Sequence, residues 1–199
     1  MARLLAVLTL LAAFIMPAQA EQDDPQKLVK GISDVVLAEI LANEAKVKSS
    51  PEFLPGLIET HIIPIIDQKR MAKMAVGKHW KRFSKEQKTG FVTGFKKLLI
   101  KTYAGAFKAY TGQDVTYGET KFKKSKKGIN TAKVRSDIHL AGGTPVRLVY
   151  SMYKSKEGKW LVYDANIAGL GLVKTYRAQF SEQIQRDGIE KTIASLTTP

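Results

Sequence analysis

The chain has 199 residues and a formal net charge of +14 at pH 7, with 32 Lys and Arg against 18 Asp and Glu. It contains no cysteine, which excludes disulfides, a thiol nucleophile and a lipidated cysteine in these residues. A chain of this length can bury a hydrophobic core without covalent cross-links.

The first twenty residues have the pattern of a secretory signal peptide. Arg3 precedes the apolar run 4–15, and the sequence Ala18-Gln19-Ala20 fits an A-x-A cleavage site. The apolar run is too short to cross a bilayer whose hydrocarbon core is roughly 30 Å thick. We therefore expect residues 1–20 to be a signal peptide cleaved after Ala20, and residues 21–199 to form one domain in the periplasm.

Export limits the kinds of partner that the positive charge can indicate. A basic chain often indicates nucleic acid binding, but little nucleic acid is available outside the cytoplasm. The remaining partners are anionic lipid surfaces and acidic proteins, and a well-solvated surface explains the same charge. Composition alone does not choose among these alternatives.

Helical signals fill the first half of the chain. Asp24 is followed by Pro25, the pattern of an N-cap with proline at the first helical position, and this helix is predicted to end near Asn43. Three prolines in the segment 50–66 predict a short helix that is broken near its end.

Two further helices are predicted before residue 110. Asp67 is placed to cap one of them, which Gly77 ends. Ser84 and Gln87 then fit a capping box, and apolar residues follow at intervals of three and four up to Tyr110. This predicts one long amphipathic helix with a lysine-rich outer face. Its apolar face either packs on the protein's own sheet or covers a ligand.

After residue 110 the hydrophobic period changes from helical to two. Four strands are predicted at 114–122, 129–140, 145–153 and 159–167, and their short connections require antiparallel hairpins in a meander. Two helices, 170–186 and 189–196, end the chain. Strands followed by helices in one unit predict an α+β domain.

The meander places the first and third hairpins at the same end of the sheet. These hairpins carry most of the lysines of the sheet. They are Lys121, Lys123, Lys124, Lys126 and Lys127 in the first, and Lys154, Lys156 and Lys159 around the third. Such a cluster indicates either a docking surface or simply solvated turns.

The sequence offers little chemistry for catalysis or metal binding. It lacks a nucleophile elbow, a zinc-protease motif and a phosphate-binding glycine loop. The three histidines, His61, His79 and His139, lack ligand spacing. Asp164 follows two aromatic residues and is either a general base or, more simply, a cap for the following turn or a partner for a basic side chain. We therefore predict no catalytic residue, no metal site and no cofactor.

Two groups of residues form a family pattern. The first group is Asp67, Arg70, Met71, Ala72, Val76, Gly77, Trp80, Glu86, Gln87, Phe91, Phe95, Leu98, Leu99, Thr102, Tyr103 and Ala104. The second group is Trp160, Val162, Tyr163, Asp164, Ile167, Gly169, Leu172, Val173, Tyr176, Arg177, Gln179 and Phe180. In this order they resemble the MlaC (toluene tolerance) family over essentially all of residues 21–199. One departure is Gly171, where relatives often carry serine.

The resemblance implies a periplasmic phospholipid carrier with an NTF2-like fold, in which helices pack against a curved sheet of four or five antiparallel strands. Such a monomer would carry lipid between an outer-membrane lipoprotein-porin complex and an inner-membrane ABC transporter with an MCE ring, and so maintain outer-membrane lipid asymmetry. Phospholipid would be its cargo, and a hopanoid is possible for some relatives.

A carrier needs the apolar faces of helix and sheet to diverge and leave a dry cavity. The side chains predicted to line it are Ile62, Ile66, Met74, Phe95, Leu98, Leu99, Tyr103, Val134, Ile138, Leu148, Tyr150, Met152, Leu161, Tyr163 and Ile167. Leu148 and Tyr150 depend on the register, because Val149 is apolar too and a slip of one residue reverses the face.

Two other functions remain open at this point. An NTF2-like enzyme could use Asp164 with Tyr163 or His139, and an exported adaptor could bind partners without any cargo.

Overall fold

A computed structural model describes residues 24–124, 130–141 and 143–196. The predicted signal peptide lies outside the described residues, as do Lys126, Lys127 and Gly142.

Six helices and six strands make up the described chain. The helices are α1 (Pro25–Ala42), α2 (Glu44–Ser49), α3 (Phe53–Leu57), α4 (Gln68–Val76), α5 (Lys85–Phe107) and α6 (Leu172–Ser195). The strands are β1 (Val115–Tyr117), β2 (Lys121–Lys124), β3 (Asn130–Ile138), β4 (Val146–Lys154), β5 (Trp160–Ile167) and β6 (Leu170–Gly171). A π-helical turn (Ile58–Ile62) and two 3-10 turns (Ile63–Ile65 and Gly77–Arg82) complete the order. No helix among these residues is long and apolar enough to cross a membrane.

The helix ends follow the predicted capping residues. The Asp24 carboxylate accepts from the backbone N–H of Gln26 at 2.8 Å, and the Asp67 carboxylate accepts from the N–H of Arg70 at 2.9 Å. Ser84 and Gln87 form both bonds of the capping box at the start of α5. These three helix starts are confirmed.

Prolines and glycines interrupt the helices at the expected places. Pro64 lies in the 3-10 turn that ends the broken segment after α3, because its ring nitrogen has no proton to continue a helical ladder. Gly77 ends α4 at φ +54°. Gly188 interrupts α6 at φ +84°, which accounts for the separation predicted between the last two helices.

The sheet is antiparallel throughout its paired strands, in the order β1-β3-β4-β5-β6, with β2 also paired to β3. A single first strand at 114–122 is wrong: residues 118–120 leave the ladder and separate β1 from β2. The break allows the Thr120 hydroxyl to donate to the Gln26 side chain at 2.9 Å, which joins the sheet to α1.

One end of the sheet carries the predicted lysines. Lys124 pairs with Asn130, and Lys154 pairs with Trp160, while Thr131 and Tyr153 face each other across β3 and β4. The strand ends that flank the first and third connections therefore lie at the same end of the sheet, as predicted. We call this the lysine end of the sheet; its described lysines are Lys121, Lys123, Lys124, Lys154, Lys156 and Lys159.

Three clusters of buried side chains hold the elements together. An aromatic cluster joins α5 to α6 through Phe91, Phe95, Tyr176 and Phe180, whose ring centroids lie between 5.0 and 5.8 Å apart in five pairs. A second cluster packs α1 to α3 against the C-terminal half of α5. A third packs α1 against the sheet near the lysine end.

Substitutions at two glycines of α5 can test how closely this helix packs against the end of α6. A Cβ at Gly94 would lie 2.7 Å from the Cβ of Leu196, whereas a Cβ at Gly105 would meet nothing within 4 Å. We expect Gly94→Ala to lower the free energy of unfolding by about 1 to 3 kcal/mol, because the end of α6 must move. Gly105→Ala, the matched control, should raise it by about 0.5 to 1 kcal/mol. Urea denaturation measures both, and equal effects would contradict the close contact.

Candidate functional site

A cavity of about 560 Å³ lies between α5 and the inner face of the sheet. Proteins usually enclose small ligands in spaces of roughly 300 to 1,000 Å³. The space under the apolar face of α5 is therefore large enough to be a binding site, and the predicted cavity is confirmed.

Every layer of the fold contributes to the wall. From α1 come Val29, Ile32, Ser33, Val36 and Leu37, and from the segment before α4 come Ile58, Ile62, Ile63, Ile65 and Ile66. From α5 and the turn after it come Val92, Phe95, Lys96, Leu99, Ile100, Tyr103, Ala106, Phe107, Ala109, Tyr110 and Gln113. The strands add Val115, Ser136, Ile138, Val146, Leu148, Tyr150, Val162, Ala165 and Ile167. Leu140 after β3, Gln68, Met71 and Leu172 complete the wall.

This wall is almost wholly apolar. Lys96 is the one charged residue among the described residues that line it, and its ammonium lies 2.8 Å from the Glu59 carboxylate. Burial raises the pKa of the Tyr150 phenol, which the neighbouring Ser136 hydroxyl partly opposes, and burial likewise raises the pKa of Tyr103. Both phenols are therefore neutral at pH 7. The site offers hydrocarbon contact and few polar groups.

The cavity has an open and a closed end. Its exposed lining residues are Ala106 in the last turn of α5, Ala109 just after α5, and Leu140 just after β3. Toward the lysine end of the sheet, the space stops at the fully buried side chains of Val134 and Met152. We call the open end the mouth and the closed end the floor.

Nine of the fifteen predicted residues line this cavity. They are Ile62, Ile66, Phe95, Leu99, Tyr103, Ile138, Leu148, Tyr150 and Ile167. The register of β4 places Leu148 and Tyr150 on the inner face and Val149 on the outer face, because Leu148 pairs with Ser136 and Tyr150 with Val134.

The structure places the other six elsewhere. Val134 and Met152 point to the same side of the sheet but pack solidly below the floor. Met74 and Leu98 pack against the aromatic cluster between α4, α5 and α6. Leu161 and Tyr163 do not line the cavity either, and the reason is a β-bulge.

The bulge reverses the side-chain alternation of β5. Met152 pairs with Val162 and Ser151 with Asp164, so that Tyr163 is the extra residue between them. Residues with odd numbers therefore face outward before the bulge and inward after it. Ile167 lines the cavity, whereas Tyr163 lies on the outer face.

Tyr163 takes part in a separate cluster on that outer face. The Arg70 guanidinium lies 4.1 Å from the ring centroid of Tyr153 and 4.6 Å from that of Tyr163. The Tyr153 hydroxyl donates to the Asp67 carboxylate at 2.6 Å. Asp67 thus both caps α4 and accepts a hydrogen bond from the sheet. The cluster fixes the start of α4 on β4 and β5.

Asp164 has a capping role in the structure. Its carboxylate accepts from the backbone N–H of Val173 at 3.1 Å, within the first turn of α6. The prediction that Asp164 caps the turn that follows it is wrong, because its carboxylate binds the start of α6 and the Asn166 side chain accepts from the Gly169 N–H of that turn at 3.0 Å.

The histidines lie apart from one another. The His79 ring is buried and its Nε2 lies 3.1 Å from the Ser181 hydroxyl, while His139 Nε2 lies 2.7 Å from the Thr116 hydroxyl. Nowhere in 24–124, 130–141 or 143–196 do three His, Asp or Glu side chains come together as a candidate metal site.

None of the five wall residues that α1 contributes is among the predicted lining residues. The apolar face of α1 was recognisable from its spacing, but no local pattern shows that it lies across the sheet. The same holds for Ile58, Ile63 and Ile65, whose positions depend on the π-helical turn and the 3-10 turn that follow α3.

Comparison with known proteins agrees with this architecture. A phospholipid-binding protein from Ralstonia solanacearum, solved in complex with a phospholipid, superposes with a TM-score of 0.74 at 34% identity, covering 88% of this chain and 99% of that chain. The intermembrane phospholipid transport system binding protein MlaC of Haemophilus influenzae is 25% identical over 94% of this chain and 87% of that relative. A toluene tolerance protein of Pseudomonas putida is 27% identical over 94% and 86%. Residues 30–198 match the MlaC protein family, and the chain belongs to that family.

Proposed function

We propose that the protein is a periplasmic phospholipid carrier that encloses acyl chains in the cavity under α5. The observation that carries the proposal is a space of about 560 Å³ whose wall contains a single charged side chain among the described residues. The phospholipid complex of the Ralstonia solanacearum relative supports the same class of ligand. The cavity is complete within one chain, which supports a monomer as the working unit.

The hydrophobic effect explains why such a carrier is needed. Two acyl chains contain about 30 methylene groups, and at about 0.8 kcal/mol each their exposure to water costs on the order of 24 kcal/mol. A cavity lined by Ile, Leu, Val and Phe replaces the bilayer by another apolar medium. Loading and unloading are then nearly balanced, although release into water is not.

The head group needs no dedicated clamp in this scheme. A charged phosphate is stable where water reaches it, and burying it without partners would be costly. We infer that the chains enter the cavity while the head group stays at the mouth, near Ala109 and Leu140. This arrangement requires no catalytic step, and the Asp164 carboxylate is already used as the cap of α6.

We further propose that the carrier moves lipid between an outer-membrane lipoprotein-porin complex and an inner-membrane ABC transporter with an MCE ring, and so maintains outer-membrane lipid asymmetry. The transport-system name of the Haemophilus influenzae relative supports this role. Because release into water is so unfavourable, transfer requires the mouth to dock directly on each complex.

A charge placed in the cavity should abolish lipid binding. Leu99 on α5 and Ile138 on β3 both line the cavity, and a buried carboxylate without a partner costs several kcal/mol. We expect Leu99→Glu and Ile138→Glu to reduce co-purifying phospholipid by at least about tenfold, since 1.4 kcal/mol is a factor of ten. Native mass spectrometry of the purified protein measures the bound fraction.

Leu170→Glu is the matched control, because Leu170 is 68% exposed and lies outside the cavity wall. It should keep the lipid content of the wild type, and circular dichroism should show that all three variants are folded. Absence of phospholipid from the folded wild-type protein, even after incubation with vesicles, would contradict the carrier.

Transfer should depend on docking. A barrier on the order of 24 kcal/mol corresponds to a release rate of about 10⁻⁵ per second, or roughly a day for spontaneous loss. Loaded protein mixed with vesicles that hold the inner-membrane complex should therefore deliver labelled lipid within minutes, and bare vesicles should receive almost none. Equal transfer to both kinds of vesicle would show that the complex is not the receiver.

A further inference from the structure

The floor of the cavity slopes across the sheet. The last lining residue is Ser136 on β3 and Tyr150 on β4, while on β5 it is Val162, which pairs with Met152 one inward-facing step closer to the lysine end. The next inward-facing residues of β3 and β4, Val134 and Met152, are each 0% exposed. Below Tyr150, the space between β4 and α1 is filled by the buried cluster that contains Val29, Val134 and Met152.

Tyr150 is the largest of the three side chains that end the lining on β3, β4 and β5. It lines the cavity on one side and packs on the other against the buried cluster that contains Val134 and Met152. Its hydroxyl neighbours Ser136, and its strand lies between β3 and β5 in the sheet. This packing holds the ring in place at the end of the cavity, since rotation would require packed neighbours to move.

We propose that Tyr150 sets the length of the longest acyl chain that the cavity can enclose, with the terminal methyl groups of the chains lying against its ring. The proposal rests on the proposed function, and it names the class of cargo more closely: phospholipids whose chains do not exceed the distance from the mouth to this ring. A longer chain must leave methylene groups outside the mouth, and each one exposed to water weakens binding about fourfold.

A larger side chain at Ala165 should change the preferred chain length in the opposite direction. Ala165 lies directly across the ladder from Tyr150 on β5 and also lines the cavity. Its methyl side chain leaves room beside the tyrosine ring. A larger side chain at this position fills the floor, whereas a smaller one at Tyr150 deepens it.

The experiment loads each purified protein from vesicles that contain equal amounts of dimyristoyl, dipalmitoyl, distearoyl and diarachidoyl phosphatidylglycerol. Native mass spectrometry then gives the fraction of each lipid bound. We expect Tyr150→Ala and the milder Tyr150→Leu to raise the bound ratio of the longest lipid to the shortest by at least about fourfold. That is the effect of one additional methylene group moved from water into the cavity. Ala165→Leu should lower the same ratio.

Two controls separate the ring from its surroundings. Tyr150→Phe keeps the ring and loses the hydroxyl, and it should keep the wild-type distribution. Val149→Ala removes methyl groups from the outer face of the same strand, outside the cavity wall, and it should keep the wild-type distribution.

The outcomes distinguish this proposal from the proposed function. Lipid bound with one unchanged distribution in every folded variant would overturn the role of Tyr150 and leave the carrier intact. A wild-type protein that binds none of the four lipids would overturn the carrier itself. Should Tyr150→Ala fail to fold, Tyr150→Leu and Ala165→Leu decide, and a shift of the same sign in both would overturn the proposal.

Discussion

The structure depends on α5 being held firmly at one flank while its inner flank stays clear of the sheet. Phe91 and Phe95 bind that helix to Tyr176 and Phe180 of α6 through edge-to-face ring contacts. Close packing elsewhere must offset the contacts that the cavity wall lacks, because side chains facing an empty space have no dispersion partners there. The aromatic cluster and the two clusters around α1 supply that packing.

One face of one sheet serves two purposes. Near the lysine end its side chains form solid core with α1, and a few residues further along the same strands they line the cavity. The change occurs along β3 from Val134 to Ser136 and along β4 from Met152 to Tyr150. On β5 the bulge at Tyr163 resets the alternation, so that Val162 and Ala165 both face inward and Tyr163 can stack on Arg70.

Local sequence rules predict part of this structure, but not the position of the cavity within it. The caps at Asp24, Asp67 and Ser84 and the antiparallel hairpins follow from single residues and short connections. The division between core and cavity does not, because Val134 and Ile138 have the same pattern of neighbours and differ only in what lies opposite them. Strict alternation predicts that Leu161 and Tyr163 face the cavity. This is wrong, because alternation contains no signal for a β-bulge.

The positions of charge and mouth restrict how the molecule can be used. The described lysines of the first and third hairpins lie at the end of the sheet where the core is solid, whereas Leu140 and Ala109 mark the mouth at the other end. A surface that contacts those lysines therefore faces away from the mouth. Under the proposed function, exchange of an enclosed acyl chain requires an apolar surface at the mouth itself, because hydrocarbon is unstable in the intervening water. The hairpin lysines can attract an anionic partner to the opposite end of the sheet, but from there they do not reach the mouth.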